Sequence, residues 1–224
     1  MFDFDHARRH MVEAQIARRG VKDPRVLEAM RNVPRERFVD EGYEELAYED
    51  SPLPIAEGQT ISQPFIVALM IEAAEMEPSD RVLEVGTGSG YAAAVMGRIA
   101  RQVFTVERHA RLGETARRRL EAIGAGNVAV RIGDGSKGWP DKAPFDAIIV
   151  AAGGPAPPAA LKEQLDIGGR LVIPVGGERR AQRLVRVSRL SATRYEEEDL
   201  GGVMFVPLIG EQGWSDTARP PCRS

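Results

Sequence analysis

Five short β-branched runs, separated by segments able to form helices, constrain this chain more than any other feature. They span residues 81–85, 103–106, 128–132, 146–150 and 170–174, and residues 91–100, 110–123 and 159–165 between them have helical composition. Runs apolar on both sides of the pleat must be covered on both faces, and parallel neighbours need crossovers of a dozen or more residues. The expected fold is therefore α/β, a doubly wound, mostly parallel sheet with helices on both faces. After residue 180 no helix separates residues 182–188 from 202–208, so these are expected as an antiparallel edge hairpin, with Glu196-Glu197-Glu198-Asp199 as a solvated turn. Upstream lies a charge-dense N-terminal helical extension. A helix over 6–19 is closed by Gly20, and another over 24–30 is capped by Asp23 with Pro24 in its first turn. The chain then divides into residues 1–57, an extension packed on the core; 58–214, the α/β domain; and 215–224, a polar, poorly ordered tail, all one structural unit.

Composition narrows the function classes. With 30 Lys+Arg against 33 Asp+Glu the net charge is −3, too little positive charge to grip a phosphate backbone, so no nucleic-acid partner is expected. The single cysteine, Cys222, excludes a disulfide framework and a Cys-rich zinc site. His6, His10 and His109 lack metal-like spacing and read as surface residues, so no metal is expected. No apolar run approaches the roughly 18 residues needed to span a bilayer, and Asp3 and Asp5 spoil a signal-peptide start. A soluble, cytoplasmic protein without membrane attachment is the expectation.

The sharpest local signal is Val82-Leu83-Glu84-Val85-Gly86-Thr87-Gly88-Ser89-Gly90-Tyr91, a strand running into a glycine-rich turn that opens a helix. Without Cβ atoms such a turn lets a ligand approach the backbone closely. The spacing is G-x-G-x-G, and Tyr91 stands where a dinucleotide fingerprint needs its third glycine, which disfavours an NAD(P)-dependent oxidoreductase. Glu107, at the end of the next run, is placed to accept hydrogen bonds from a ribose diol.

This pattern resembles the first motif, with its acidic partner, of class I S-adenosylmethionine-dependent methyltransferases. Gly133-Asp134-Gly135 resembles their adenine-contacting segment, and residues 144–150 resemble the strand beside the transferred methyl group. One string is more specific. Gly58-Gln59-Thr60-Ile61-Ser62-Gln63-Pro64-Phe65 is nearly a signature of protein-L-isoaspartate O-methyltransferases, and residues 23–30, 33–39, 133–140, 168–176 and 205–208 resemble the same family in the same order, over roughly residues 10–214.

The resemblance implies S-adenosylmethionine as cofactor and S-adenosylhomocysteine as product, in an S-adenosylmethionine-binding catalytic domain. It implies cofactor binding by Thr60, Ile61, Glu84, Gly86, Thr87, Gly88, Gly90, Glu107, Asp134 and Gly135. Substrate would meet Ser62, Gln63, Ala151, Ala152 and Val206, with Ser62 as the catalytic residue. The implied partners are isoaspartyl (and D-aspartyl) proteins and peptides, methylated by a monomer and repaired through a succinimide.

The local chemistry supports this casting of Ser62. Gln63 precedes a proline and so caps a helix over 64–76, which leaves the Ser62 hydroxyl outside the cap beside free N–H groups, an anion site. A carboxylate of reference pKa about 4 is already ionised and needs an orienting donor, not a strong base. One departure stands out: Ala151-Ala152-Gly153-Gly154-Pro155 carries an extra glycine where similar proteins read Ala-Ala-Ala-Pro, so a looser loop is expected. A nucleic-acid methyltransferase would need an Asn/Asp-Pro-Pro-aromatic segment there, or a catalytic cysteine. A cofactor-binding module without activity would not need residues 60–64.

Overall fold

Strand β3 (Arg81–Val85) lies inside a seven-stranded sheet whose order is β5-β4-β3-β6-β7-β8-β9 in this computed structural model, which describes residues 2–177 and 181–216. The other strands are β4 (Gln102–Glu107), β5 (Val128–Ile132), β6 (Phe145–Val150), β7 (Leu165–Gly176), β8 (Gln182–Arg189) and β9 (Tyr195–Val203). The first five run parallel, β8 is antiparallel to β7, and β9 is antiparallel to β8. A separate hairpin, β1 (Leu53–Ile55) with β2 (Gln59–Ile61), turns at residues 56–58.

Side chains alternate across the sheet as a doubly covered strand requires. Val82, Val103, Ala147 and Val172 enter one core, while Leu83, Phe104, Ile148 and Leu171 enter the other. The first core also takes α2 (Pro24–Asn32), α3 (Pro64–Ala73), α4 (Tyr91–Gly97) and α5 (Ala110–Ala122). The second face is more thinly covered, by the short α6 (Ala159–Glu163) and by Trp139, which packs edge-on to Phe104 at 5.5 Å. From β3 the chain winds outward through β4 to β5, then returns to β6 and continues the other way to β7. The winding reverses between β3 and β6, and open α/β sheets bind ligands beyond the strand ends at such a point.

The N-terminal helical extension belongs to the first core: Met11, Val12, Ile16, Met30 and Phe38 are all fully buried with residues of α3 and α4. The division at 57/58 falls in the β1–β2 turn, and residues on both sides share this core. The predicted first helix changes its winding. It runs α-helical over Phe4–His10, widens to a π-turn over Met11–Ile16, then tightens to a 3-10 turn before Gly20 at φ 112°. The wider i→i+5 winding brings Met11 and Ile16, five residues apart, toward one buried side.

The C-terminal hairpin differs from expectation. The acidic run is not a turn but part of β9, where Glu198 pairs with Arg186 at 2.5 Å and Asp199 with Arg183 at 2.7 Å across the ladder. Residues 204–208, read as strand, leave the sheet instead. The helix after Gln63 ends at Ala73 rather than Met76. Of the predicted tail, residues 217–224 lie outside the described part. Among the described residues no helix is long and apolar enough to cross a membrane, and no cluster of His, Cys, Asp and Glu could hold a metal ion.

Candidate functional site

A cavity of about 840 Å³ opens at the C-terminal ends of β3 and β4, beside Ala151 and Ala152 at the end of β6, where the winding reverses. Its floor is the glycine turn. Gly86 and Gly88 adopt φ of 93° and 52°, a left-handed backbone that side chains resist. Gly90, at φ 91°, serves packing: its missing Cβ would stand 3.2 Å from that of Ala116, so it seats α4 on α5 rather than lining the cavity.

Two carboxyls sit beneath this turn. Glu107 is buried, accepting the Gly88 N–H at 2.8 Å on one oxygen and the His109 N–H at 2.9 Å on the other. Each oxygen keeps a second lone pair, so the group remains able to accept a diol. Glu84 is 1% exposed, and burial pushes its pKa up to about 8, with the charge of Glu107 adding to the rise. The Thr105 hydroxyl donates to it at 2.5 Å, which opposes that shift without overcoming it. The neutral form of Glu84 is therefore favoured near pH 7. Thr87 joins the chain through Thr105 at 2.6 Å.

Another wall is formed by Thr60 and Ile61 at the end of β2 and by Ser62 and Gln63, which join β2 to α3. The Ser62 hydroxyl makes no hydrogen bond to the described residues, while its carbonyl accepts from Arg35 at 2.8 Å. The helix N-terminus beside it is not the free anion site that the sequence suggested. Asp50 occupies it, accepting the Phe65 N–H at 3.2 Å and the Gln63 amide at 2.6 Å, and pairing with Arg19. An internal carboxylate thus satisfies the helix end, so the Ser62 hydroxyl is the unengaged donor there.

The third wall joins Ala151 and Ala152 to Val206. Ala151 N–H bonds the Val85 carbonyl at 2.8 Å, across the β3–β6 junction. The expected slackness at Gly153-Gly154 is overturned. Gly153 donates to the Val206 carbonyl at 2.8 Å and accepts from Leu208 N–H at 2.8 Å and from the Trp214 indole at 3.0 Å. Gly154 donates to the Pro174 carbonyl at 3.0 Å. With the Gly176 N–H bonding the Gly154 carbonyl at 3.1 Å, the loop is held by five hydrogen bonds, four to neighbouring backbone and one to the Trp214 indole.

Gly135 lines the cavity, where its missing Cβ would collide with Val85 Cγ1 at 2.5 Å. Asp134 does not. Its carboxylate accepts the Ser136 N–H at 2.9 Å, the Ser136 hydroxyl at 2.7 Å and the Glu211 N–H at 2.8 Å. Burial raises its pKa, but these donors outweigh that and hold it below the usual range. It borders a second, shallower cavity of about 440 Å³, which shares Arg108, Ile209, Ser215 and Asp216 with the first.

Sequence reasoning missed three contributors. His109 is not a surface residue: it lines the cavity, its side chain 17% exposed, with Nδ1 3.7 Å from the Glu57 carboxylate. Glu57 sits at the hairpin tip with φ 60°. Arg35, fully buried, bonds the Ala47 carbonyl at 2.7 Å and stacks over Tyr91 at 4.6 Å, tying the N-terminal extension to both ligand-side walls. The one local signal that could have found any of them is the position of His109, two residues after Glu107.

Comparison with known proteins agrees with this geometry. A family model described as Protein-L-isoaspartate(D-aspartate) O-methyltransferase (PCMT) matches residues 6–213. A Brucella anthropi protein-L-isoaspartate O-methyltransferase is 57% identical over 96% of this chain and 99% of its own. A Rhodopseudomonas palustris protein of the same name is 60% identical over 91% and 94%. A solved protein-L-isoaspartate O-methyltransferase superposes with a TM-score of 0.83 at 31% identity, covering 92% of this chain and 67% of its own. With the fold, the glycine turn and nearly the full length in agreement, the chain belongs to the protein-L-isoaspartate(D-aspartate) O-methyltransferase family.

Proposed function

We propose that this chain transfers the methyl group of S-adenosylmethionine to the carboxylate of L-isoaspartyl, and also D-aspartyl, residues in damaged proteins and peptides. The observation that carries the reading is one cavity with a glycine turn and Glu107 on one wall and an unengaged Ser62 hydroxyl on another. The residues fit the cofactor. Gly86 and Gly88 leave backbone open to close approach, Glu107 keeps acceptor capacity for ribose hydroxyls, and the cavity suits a ligand of that size. Gly90 and Asp134 take supporting roles in this reading, as packing glycine and anchor of residues 211–212.

When bound, the cofactor supplies a methyl group already activated for attack. The protein's task is placement. Ser62 Oγ donates to one oxygen of the substrate carboxylate and leaves the other free to form the new C–O bond. Held by the glycine turn and Glu107, the cofactor would supply the methyl and keep the electron pair of its carbon–sulfur bond, so the chain's own residues need move no proton. A single neutral donor orients the nucleophile without quenching it, and positioning of this kind is worth up to ~7–11 kcal/mol in well-oriented reactions. Burial favours the neutral form of Glu84 near pH 7. The methyl ester then closes to a succinimide by attack of the adjacent backbone nitrogen, whose proton leaves with the methoxide as methanol, and hydrolysis of the ring returns part of it to normal aspartate.

The reading extends to a monomer in the cytoplasm, supported by the charged outer strand β9 and by a single cysteine. Incubation with labelled cofactor and an isoaspartyl peptide, beside its normal aspartyl twin, tests it. Methyl transfer confined to the isoaspartyl peptide is expected; equal rates on both overturn the substrate assignment.

A further inference from the structure

Residues 204–208 form a strap across the substrate end of the cavity, and Met204, Phe205 and Val206 all line it. Having left β9, the strap keeps a single parallel bridge, between Pro207 and Gly153, among the described residues. A buried side chain holds its Phe205 end. Gln182, the first residue of β8, is 1% exposed, and both ends of its amide are given to one backbone unit. Its Oε1 accepts the Phe205 N–H at 2.9 Å, and its Nε2 donates to the Phe205 carbonyl at 3.2 Å. On the strap's far side, Gly153 bonds the Val206 carbonyl and the Leu208 N–H. The two anchors touch each other: a Cβ on Gly153 would fall 2.3 Å from Gln182 Nε2. Gly153 therefore makes room for the glutamine, and the pair forms one lock.

From this we infer that Gln182 is a positioning residue for the peptide substrate, setting peptide affinity by fixing the strap through Phe205 and relying on Gly153 for its space. The inference rests on the preceding reading, in which Val206 faces the peptide. Neither Gln182 nor Gly153 lines the cavity, so neither touches peptide or cofactor directly. Without the amide, the N–H and C=O of the 9%-exposed Phe205 lose their partners, and the strap must shift to find others. The walls that carry Glu107 and Ser62 have no bond to Gln182 and stay in place.

The test measures peptide KM, kcat at saturating peptide and S-adenosylhomocysteine Kd for wild type, Gln182→Ala, Gly153→Ala and the double variant. Gln182→Ala is expected to raise peptide KM about tenfold, the worth of roughly one net hydrogen bond, with kcat and cofactor Kd within about twofold. Gly153→Ala is expected to raise KM similarly, because the new methyl displaces the amide. In the double variant the clash has already been relieved, so its KM should be no higher than that of Gln182→Ala. Gln182→Asn, which keeps both polar groups on a shorter arm, should lie between wild type and Gln182→Ala, and it carries the comparison if the alanine variant fails to fold. An unchanged KM in Gln182→Ala, multiplying effects in the double variant, or a cofactor Kd shift as large as the KM shift would each overturn the lock. Failure of the wild type to prefer the isoaspartyl peptide would instead bring down the underlying substrate reading, and this inference with it.

Discussion

Glu107 holds two tasks on one carboxylate. It fastens the Gly88 and His109 amides and, in the proposed function, accepts the ribose hydroxyls. Glu107→Ala is expected to weaken S-adenosylhomocysteine binding by on the order of 1.5–3 kcal/mol, read by calorimetry. Unchanged affinity would exclude the ribose assignment. Ser62 has a single task, so Ser62→Ala should leave cofactor binding intact and slow turnover roughly 10–100-fold. Its pH profile should fall only below about pH 4–5, as the substrate carboxylate protonates. Complete loss of activity with intact binding, or a modified Ser62 in a mass spectrum, would contradict an orienting role. Glu84, which also lines the cavity, ties stability to pH. Its carboxyl titrates near 4.5 when unfolded and about 8 when buried, so between those values the folded chain keeps a proton that the unfolded chain has released. Stability must then fall as pH rises through this window, with a slope of up to about 1.4 kcal/mol per pH unit. Glu84→Gln removes the titration, and urea unfolding at pH 5, 6.5 and 8 should show a flatter dependence than wild type. Identical slopes would mean that Glu84 is charged in the fold.

At the scale of elements, α3 shows how a cap can come from a distance. Pro64 opens the helix as its type prefers, and Gln63 precedes it in an extended conformation, yet neither side chain caps it. Asp50, from the loop before β1, accepts the Phe65 N–H. Asp50→Ala is expected to cost about 1 kcal/mol in denaturant unfolding, and Asp50→Asn much less; equal losses would assign the effect to the Arg19 ion pair instead. The five parallel strands were legible because their period and β-branched content are local properties. So were Thr60 through Gln63 and the glycine turn, whose chemistry lies within one short stretch. Asp50, Arg35 and Glu57 were not, because each acquires its role from a contact distant in sequence. The same limit explains two misreadings. Glu196–Asp199 look like a turn until Arg183 and Arg186 are placed opposite them, and Gly153 looks slack until Gln182 is placed against it.

Across the whole molecule, the reversal between β3 and β6 puts residues from distant parts of the chain around one cavity. The segment after β9 then crosses from one side to the other. It begins on Gln182 and ends near Asp134, whose carboxylate accepts the Glu211 N–H, while Ser136 Oγ accepts that of Gln212 at 3.0 Å. Between these ends, Leu208 donates to Gly153, Gly210 to the Trp214 carbonyl, Gly213 to Gly210, and Trp214 to Leu208. Most of this span is neither helix nor strand, yet amide after amide has an acceptor. In heavy water, the amides of Phe205, Leu208 and residues 210–214 should therefore exchange as slowly as those of β7, and far more slowly than the amides of the exposed turn over residues 191–194. Rapid exchange along the span would show that it opens on its own. Slow exchange would mean that its ordering entropy is spent when the chain folds, so that a damaged peptide meets a surface already set and loses little affinity to ordering it.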